Sequence, residues 1–163
     1  MNTAYLLLGS NEGDRKGWLV KAMDLISELC GNIINKSSID QTAAWGITTQ
    51  TDFLNIVIMV QTTQAPEDLL HTILNIETAM GRHRTIKWGP RIIDIDILFF
   101  NDITLNIPEL INPHPFLQDR RFTLLPLAEI APDYIHPVFN KSVTTLLSAC
   151  SDQLEAIRLD ESL

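Results

Sequence analysis

Basic residues are scarce in this chain. Twelve Lys and Arg stand against twenty Asp and Glu, a net charge of −8, which excludes a broad nucleic-acid surface because such a surface needs a basic footprint. Cysteine is nearly absent. Cys30 and Cys150 have no metal-binding or redox spacing and read as reduced, small apolar residues. Long hydrophobic runs are missing too: none approaches the roughly 20 residues of a membrane span. The first apolar run, Ala4–Leu8, has no basic residue before it and ends at Gly9-Ser10-Asn11, short of a signal-peptide core of about 7–15 residues. The expectation is a cytoplasmic protein with neither nucleic-acid nor membrane partner, acting as a monomer. No repeat, low-complexity stretch or linker divides the 163 residues, so residues 1–163 read as one domain.

What is present concentrates in Lys87–Phe100, K-W-G-P-R-I-I-D-I-D-I-L-F-F. After Gly89-Pro90, the β-branched and aromatic run Ile92, Ile93, Ile95, Ile97, Leu98, Phe99 and Phe100 predicts a buried strand. Asp94 and Asp96 interrupt it. Residues two apart on a strand point the same way, with Cα atoms roughly 6.6 Å apart. Two carboxylates this close repel and cost desolvation unless something positive sits between them. One reading is a divalent metal or metal pair; the other is a wet acidic edge partnered by Arg91. Arg82, Arg84, Lys87 and Arg91 also place four of the twelve cations within ten residues. That patch suits a compact anionic ligand carrying metal, or is a solvated charge run.

Before this stretch, Ala4–Leu8 predicts a strand, and Arg15–Cys30 a helix with Trp18, Ala22, Leu25, Ile26 and Leu29 on one face, capped by Asn11 or Asp14. Asn32–Ile39 is a weaker strand. Phe53–Thr62 is the clearest, apolar on both faces and hence central. Its one polar interruption, Asn55, either reads the edge of a heterocycle or is tied to backbone. Pro66–Met80 is a helix. Beyond Phe100 the pattern gives a return strand over Ile103–Ile107 and a helix capped by Asp119 that continues toward Ile130, with Pro126 tolerated only near a first turn. A short helix over Val143–Ala149 opens at Ser142, and the Asp152–Leu163 tail reads as charged and peripheral. The order β-α-β-β-α-β matches the ferredoxin-like split arrangement, an α+β sandwich whose antiparallel sheet carries helices on one face and leaves the other for a cleft.

Leu8-Gly9-Ser10-Asn11, Phe53-Leu54-Asn55, Trp88-Gly89-Pro90-Arg91-x-x-Asp94-Ile95-Asp96-Ile97, Pro113-His114 and Arg120-x-Phe122 follow one another in an order that resembles the 6-hydroxymethyl-7,8-dihydropterin pyrophosphokinase family. The resemblance runs from about Ala4 to Pro132. It implies a ferredoxin-like sandwich and transfer of a pyrophosphoryl group from ATP to the pterin hydroxymethyl oxygen, leaving AMP, in folate biosynthesis. By resemblance, Asp94 and Asp96 would hold two Mg²⁺ ions and form the catalytic set with Arg82 and Arg91. Glu77, Arg82, Arg84, Trp88, Arg91, Ile97, His114 and Arg120 would contact ATP. Thr42, Ala43, Trp45, Gly46, Phe53, Asn55, Asp94 and Phe122 would bind the pterin, with Phe53 and Phe122 sandwiching its ring. Leu74, Glu109, Pro115 and Ala43 stand where the family commonly has other residues. A nucleotide-binding module without catalysis and a metal-dependent hydrolase are the competing readings.

Overall fold

Alternation along one strand sorts the interior into two cores. A computed structural model of the chain describes residues 1–43, 50–82, 91–159 and 163. In β1 (Asn2–Ser10), Leu6 and Leu8 face one core while Tyr5 and Leu7 face the other, as period-two side chains must. The chain continues through α1 (Arg15–Leu29), β2 (Asn32–Lys36), β3 (Asp40–Thr42), β4 (Phe53–Thr62), α2 (Pro66–Ala79) and β5 (Asp94–Phe100). This is the expected order, except that the weak second strand, expected over Asn32–Ile39, ends at Lys36 and a further short strand, β3, follows it where a loop was expected. The main sheet runs β5-β1-β4-β3, with β2 also paired to β4 and the named neighbours antiparallel. Leu19, Ala22 and Ile26 of α1 and Leu69, Ile73 and Ile76 of α2 close the first core against Leu6, Leu8, Ile56 and Ile58.

The far face is less open than the sequence suggests. β6 (Leu105–Ile107) pairs with β7 (Leu110–Asn112) in a separate ribbon, and then come α3 (Arg121–Ile130) and α4 (Val143–Ala149). Leu124 and Leu127 of α3 and Val143 and Leu146 of α4 pack on Tyr5, Leu7, Val57 and Phe99, so part of this face is core and the cleft keeps the remainder.

Asp14 caps α1 through Gly17 N–H (3.1 Å) and Ser142 caps α4 through Thr145 N–H (3.1 Å). Asp119 does not cap α3. It lies in a 3-10 turn, Leu117–Asp119, and the carboxylate of Asp152 accepts from Arg121 N–H at 3.0 Å instead. Pro126 sits inside α3, beyond its first turn, giving up the hydrogen bond that an N–H there would make. The tail is not peripheral: β8 (Ala156–Arg158) adds an edge strand to β3.

Candidate active site

The antiparallel register puts the chemistry in rows. Gly9 of β1 lies between Asn55 of β4 and Asp94 of β5, and Leu7 lies between Val57 and Asp96. Thr42 of β3 stands opposite Phe53. All of these except Val57 line a cleft of about 620 Å³, mouth included, together with Ala43, Arg91, Arg120 and Phe122. That mixture of apolar walls with a few convergent polar groups suits a small ligand.

One end of the cleft is ionic. Asp94 Oδ1 lies 2.9 Å from Arg82 Nη1, and its Oδ2 lies 2.9 Å from Arg91 Nη1. The same Arg82 nitrogen bonds Glu77 Oε2, which also accepts from Ile95 N–H at 2.9 Å. Arg82 is locked inside, its side chain 6% exposed, whereas Arg91 at 27% stands at the rim. Among the described residues no arginine pairs as closely with Asp96. Burial first, then the charges of Asp94 and Glu77, push its carboxyl up to about 7 against the pull of Arg120 and Arg82. His114 Nε2 is 4.0 Å from Asp96 Oδ2. Burial and the nearby Arg120 push that imidazole down to about 4, and its Nδ1 accepts from Phe116 N–H at 3.1 Å, so it is neutral at pH 7.

The other end reads shape. Asn55 Nδ2 donates to Thr42 Oγ1 at 2.9 Å, and a Cβ on Gly9 would come within 2.8 Å of Asn55 Oδ1. Glycine at position 9 therefore keeps that amide in place. Phe53 and Phe122 contribute aromatic walls, and the Arg120 guanidinium rests 5.2 Å from the Phe116 ring and 5.7 Å from the Phe122 ring, within cation–π range.

A sequence model of the 7,8-dihydro-6-hydroxymethylpterin-pyrophosphokinase (HPPK) family matches residues 5–132. The chain belongs to this family. It is 43% identical over 141 residues to the 2-amino-4-hydroxy-6-hydroxymethyldihydropteridine pyrophosphokinase of Aquifex aeolicus, covering 86% of this chain and 88% of that one. The enzyme of the same name from Methylorubrum extorquens is 42% identical over 136 residues, with 83% and 86% covered. Among solved structures, the wild-type HPPK-DHPS of Plasmodium falciparum with pteroate superposes with a TM-score of 0.76 at 21% identity, over 91% of this chain and 42% of that chain. An HPPK-DHPS in complex with substrates gives 0.75 at 18% identity, over 91% and 43%. These last two share the fold, and the chain spans less than half of their length.

Of the residues singled out by resemblance to the HPPK family, the structure brings Thr42, Ala43, Phe53, Asn55, Arg91, Asp94, Asp96, Arg120 and Phe122 to one cleft, with Arg82 and His114 in contact with its carboxylates. Two land differently. The Ile97 side chain is 5% exposed and lies in the α1–α2 core, because it alternates with Asp96 and points through the sheet. Only its main chain is left to meet nucleotide. Glu77 is buried with its Oε2 shared between Arg82 and Ile95 N–H. Trp45, Gly46, Arg84 and Trp88 lie outside the described residues. Glu109 pairs with His71 at 3.6 Å on the surface, and Leu74 is exposed.

Asn11 is the residue that sequence reasoning undervalued. It was a candidate helix cap. Instead its Nδ2 donates to Gln50 Oε1 (3.0 Å) and Thr51 O (3.2 Å), and its Oδ1 accepts from Arg91 N–H (2.8 Å). The signal was its place in L-G-S-N at the end of β1, where a strand delivers it between two loops.

Proposed function

We propose that this cleft moves the pyrophosphoryl group of ATP to the hydroxymethyl oxygen of 6-hydroxymethyl-7,8-dihydropterin, giving the pterin diphosphate and AMP for folate synthesis. The reaction class is that of the pyrophosphokinase family to which the chain belongs, and it sets aside the non-catalytic and hydrolase readings. The observation that carries the residue roles is the single cleft shared by an acidic pair, arginines at one end and an amide with aromatic walls at the other.

Asp94 and Asp96 would hold two Mg²⁺ ions brought with the triphosphate. The donor set fits. Mg²⁺ prefers oxygen ligands and is usually held by one or two carboxylates plus substrate phosphates, not by an all-protein cage. The upward push on Asp96 is the stress that a cation relieves. When bound, the ions neutralise phosphate charge that builds during transfer.

Arg82 and Arg91 now neutralise Asp94; with nucleotide in place their forks can pair phosphate oxygens instead. Arg120 and the neutral His114 flank the same end. The pterin ring would lie between Phe53 and Phe122 and exchange hydrogen bonds with Asn55, held by Thr42. Mixing the chain with ATP, Mg²⁺ and hydroxymethyldihydropterin should release AMP in step with pterin diphosphate; ADP, or no product at micromolar enzyme, contradicts the reading.

A further inference from the structure

The final segment lies beyond the family-matched residues 5–132 and is nonetheless tied into the walls of the cleft. Asp152 Oδ2 accepts from Arg121 N–H at 3.0 Å, at the start of α3, where an anion is favoured by the helix dipole. Four residues on, β8 pairs antiparallel with β3, Ala156 opposite Thr42, Ile157 opposite Gln41 and Arg158 opposite Asp40. Leu159 N–H then donates to Ile39 O at 2.9 Å. Arg158 Nη2 reaches Glu129 Oε2 (3.4 Å) in the last turn of α3, and its Nε lies 3.9 Å from Asp40 Oδ1. Glu129 in turn accepts from Ser38 N–H (3.0 Å) and Ser38 Oγ (2.8 Å). The segment thus holds α3 at both ends and β3 along its length.

Those two elements are the opposing walls of the ring-binding end. Phe122 comes from α3; Thr42 comes from β3 and holds Asn55. The gap between them follows the distance between α3 and β3. Asp40 marks how specific the tie is: it is fully buried, and among the described residues neither of its carboxylate oxygens has a hydrogen-bond partner, a costly arrangement set opposite Arg158. Neither Arg158 nor Asp152 lines the cleft.

We propose that Asp152–Leu159 is a strap that positions the acceptor slot, fixing the gap between Phe122 and the Phe53–Asn55 edge and so governing affinity for a flat, ring-bearing acceptor but not for nucleotide. The inference rests on the reading that this end of the cleft takes the pterin. Asp152 and Arg158 are positioning residues, acting through α3 and β3.

The test uses the full chain with Arg158→Ala, Arg158→Lys and Asp152→Ala, measuring KM for hydroxymethyldihydropterin and for ATP, kcat, and thermal melting. Arg158→Ala and Asp152→Ala should each raise the pterin KM about tenfold, the scale of one charge-assisted hydrogen bond, with the ATP KM and kcat nearly unchanged. Arg158→Lys should recover part of the loss. Equal weakening of both substrates, or an unchanged pterin KM in a folded variant, overturns the proposal. If Asp152→Ala melts below the assay temperature, the Arg158 pair decides, since that side chain is half exposed and its loss leaves the β8 main-chain pairing intact. Wild-type chain that yields no AMP would sink the functional reading itself, whereas active wild type with indifferent variants sinks the strap alone.

Discussion

Asn11 and Arg91 grip each other by main chain and side chain together: Asn11 N–H donates to Arg91 O at 3.1 Å, and Arg91 N–H donates to Asn11 Oδ1 at 2.8 Å. Asn11 Nδ2 meanwhile reaches Thr51 O, so one nearly buried amide spans the approaches to both ends of the cleft. Asn11→Ala removes these side-chain bonds and leaves Arg91 N–H unpaired. It should cost about 1–3 kcal/mol of stability and lower kcat/KM about tenfold or more by misplacing Arg91. Denaturant melts and steady-state kinetics check this; wild-type kcat/KM in a folded variant would contradict it.

The acidic pair makes an unequal demand. Asp96→Asn removes a carboxylate whose charged form is held only under electrostatic stress, so the fold should stand or gain slightly while turnover falls at least about 10²–10³-fold, as for loss of a direct charge stabiliser. Asp94→Asn should lose as much turnover and also stability, because it leaves Arg82 with one anionic partner fewer. Turnover near wild type in either variant would place the metal elsewhere.

Glu77 is expected to act without touching substrate. Glu77→Ala takes from the buried Arg82 guanidinium one of the two anions it touches and strands the N–H of Ile95; breaking such a buried pair costs about 3–5 kcal/mol. Urea titration should show that loss, and kcat should fall with little change in the ATP dissociation constant. Weaker ATP binding at wild-type stability would mean that Glu77 contacts nucleotide after all.

Asp40 sets a pH dependence of stability. Burial raises its carboxyl from 3.8 to about 6, more than Arg158 lowers it, and Glu129 adds to the rise. Between about pH 4 and 6 the folded chain therefore binds more protons than the unfolded one, and stability falls as pH rises through that window. Asp40→Asn should flatten that part of the stability curve and leave the chain at least as stable at pH 8. Melting curves from pH 4 to 8 read this directly, and an unchanged slope would contradict it.

Much of this is legible in the sequence alone. The D-x-D spacing on a strand put Asp94 and Asp96 on one face, and the apolar run of Phe53–Thr62 identified the central strand, because both follow from local periodicity. What escaped depends on distant contacts. No local signal shows that Asp152 would displace Asp119 as the anion at the start of α3, or that Ala156–Arg158 would find an open edge of β3. Nor does any local signal show that Ile97 turns into the α1–α2 core or that Glu77 takes the main-chain N–H of Ile95. The half-covered far face likewise depends on where α3 and α4 pack, which hydrophobic spacing alone leaves open.

The most direct measurement of the central claim follows the phosphorus atoms. Given ATP labelled at the β-phosphorus, Mg²⁺ and hydroxymethyldihydropterin, the label should leave with the pterin and the AMP should be unlabelled. Label retained on the nucleotide as ADP would mean that only the terminal phosphoryl moves, and pyrophosphoryl transfer by this cleft would be wrong.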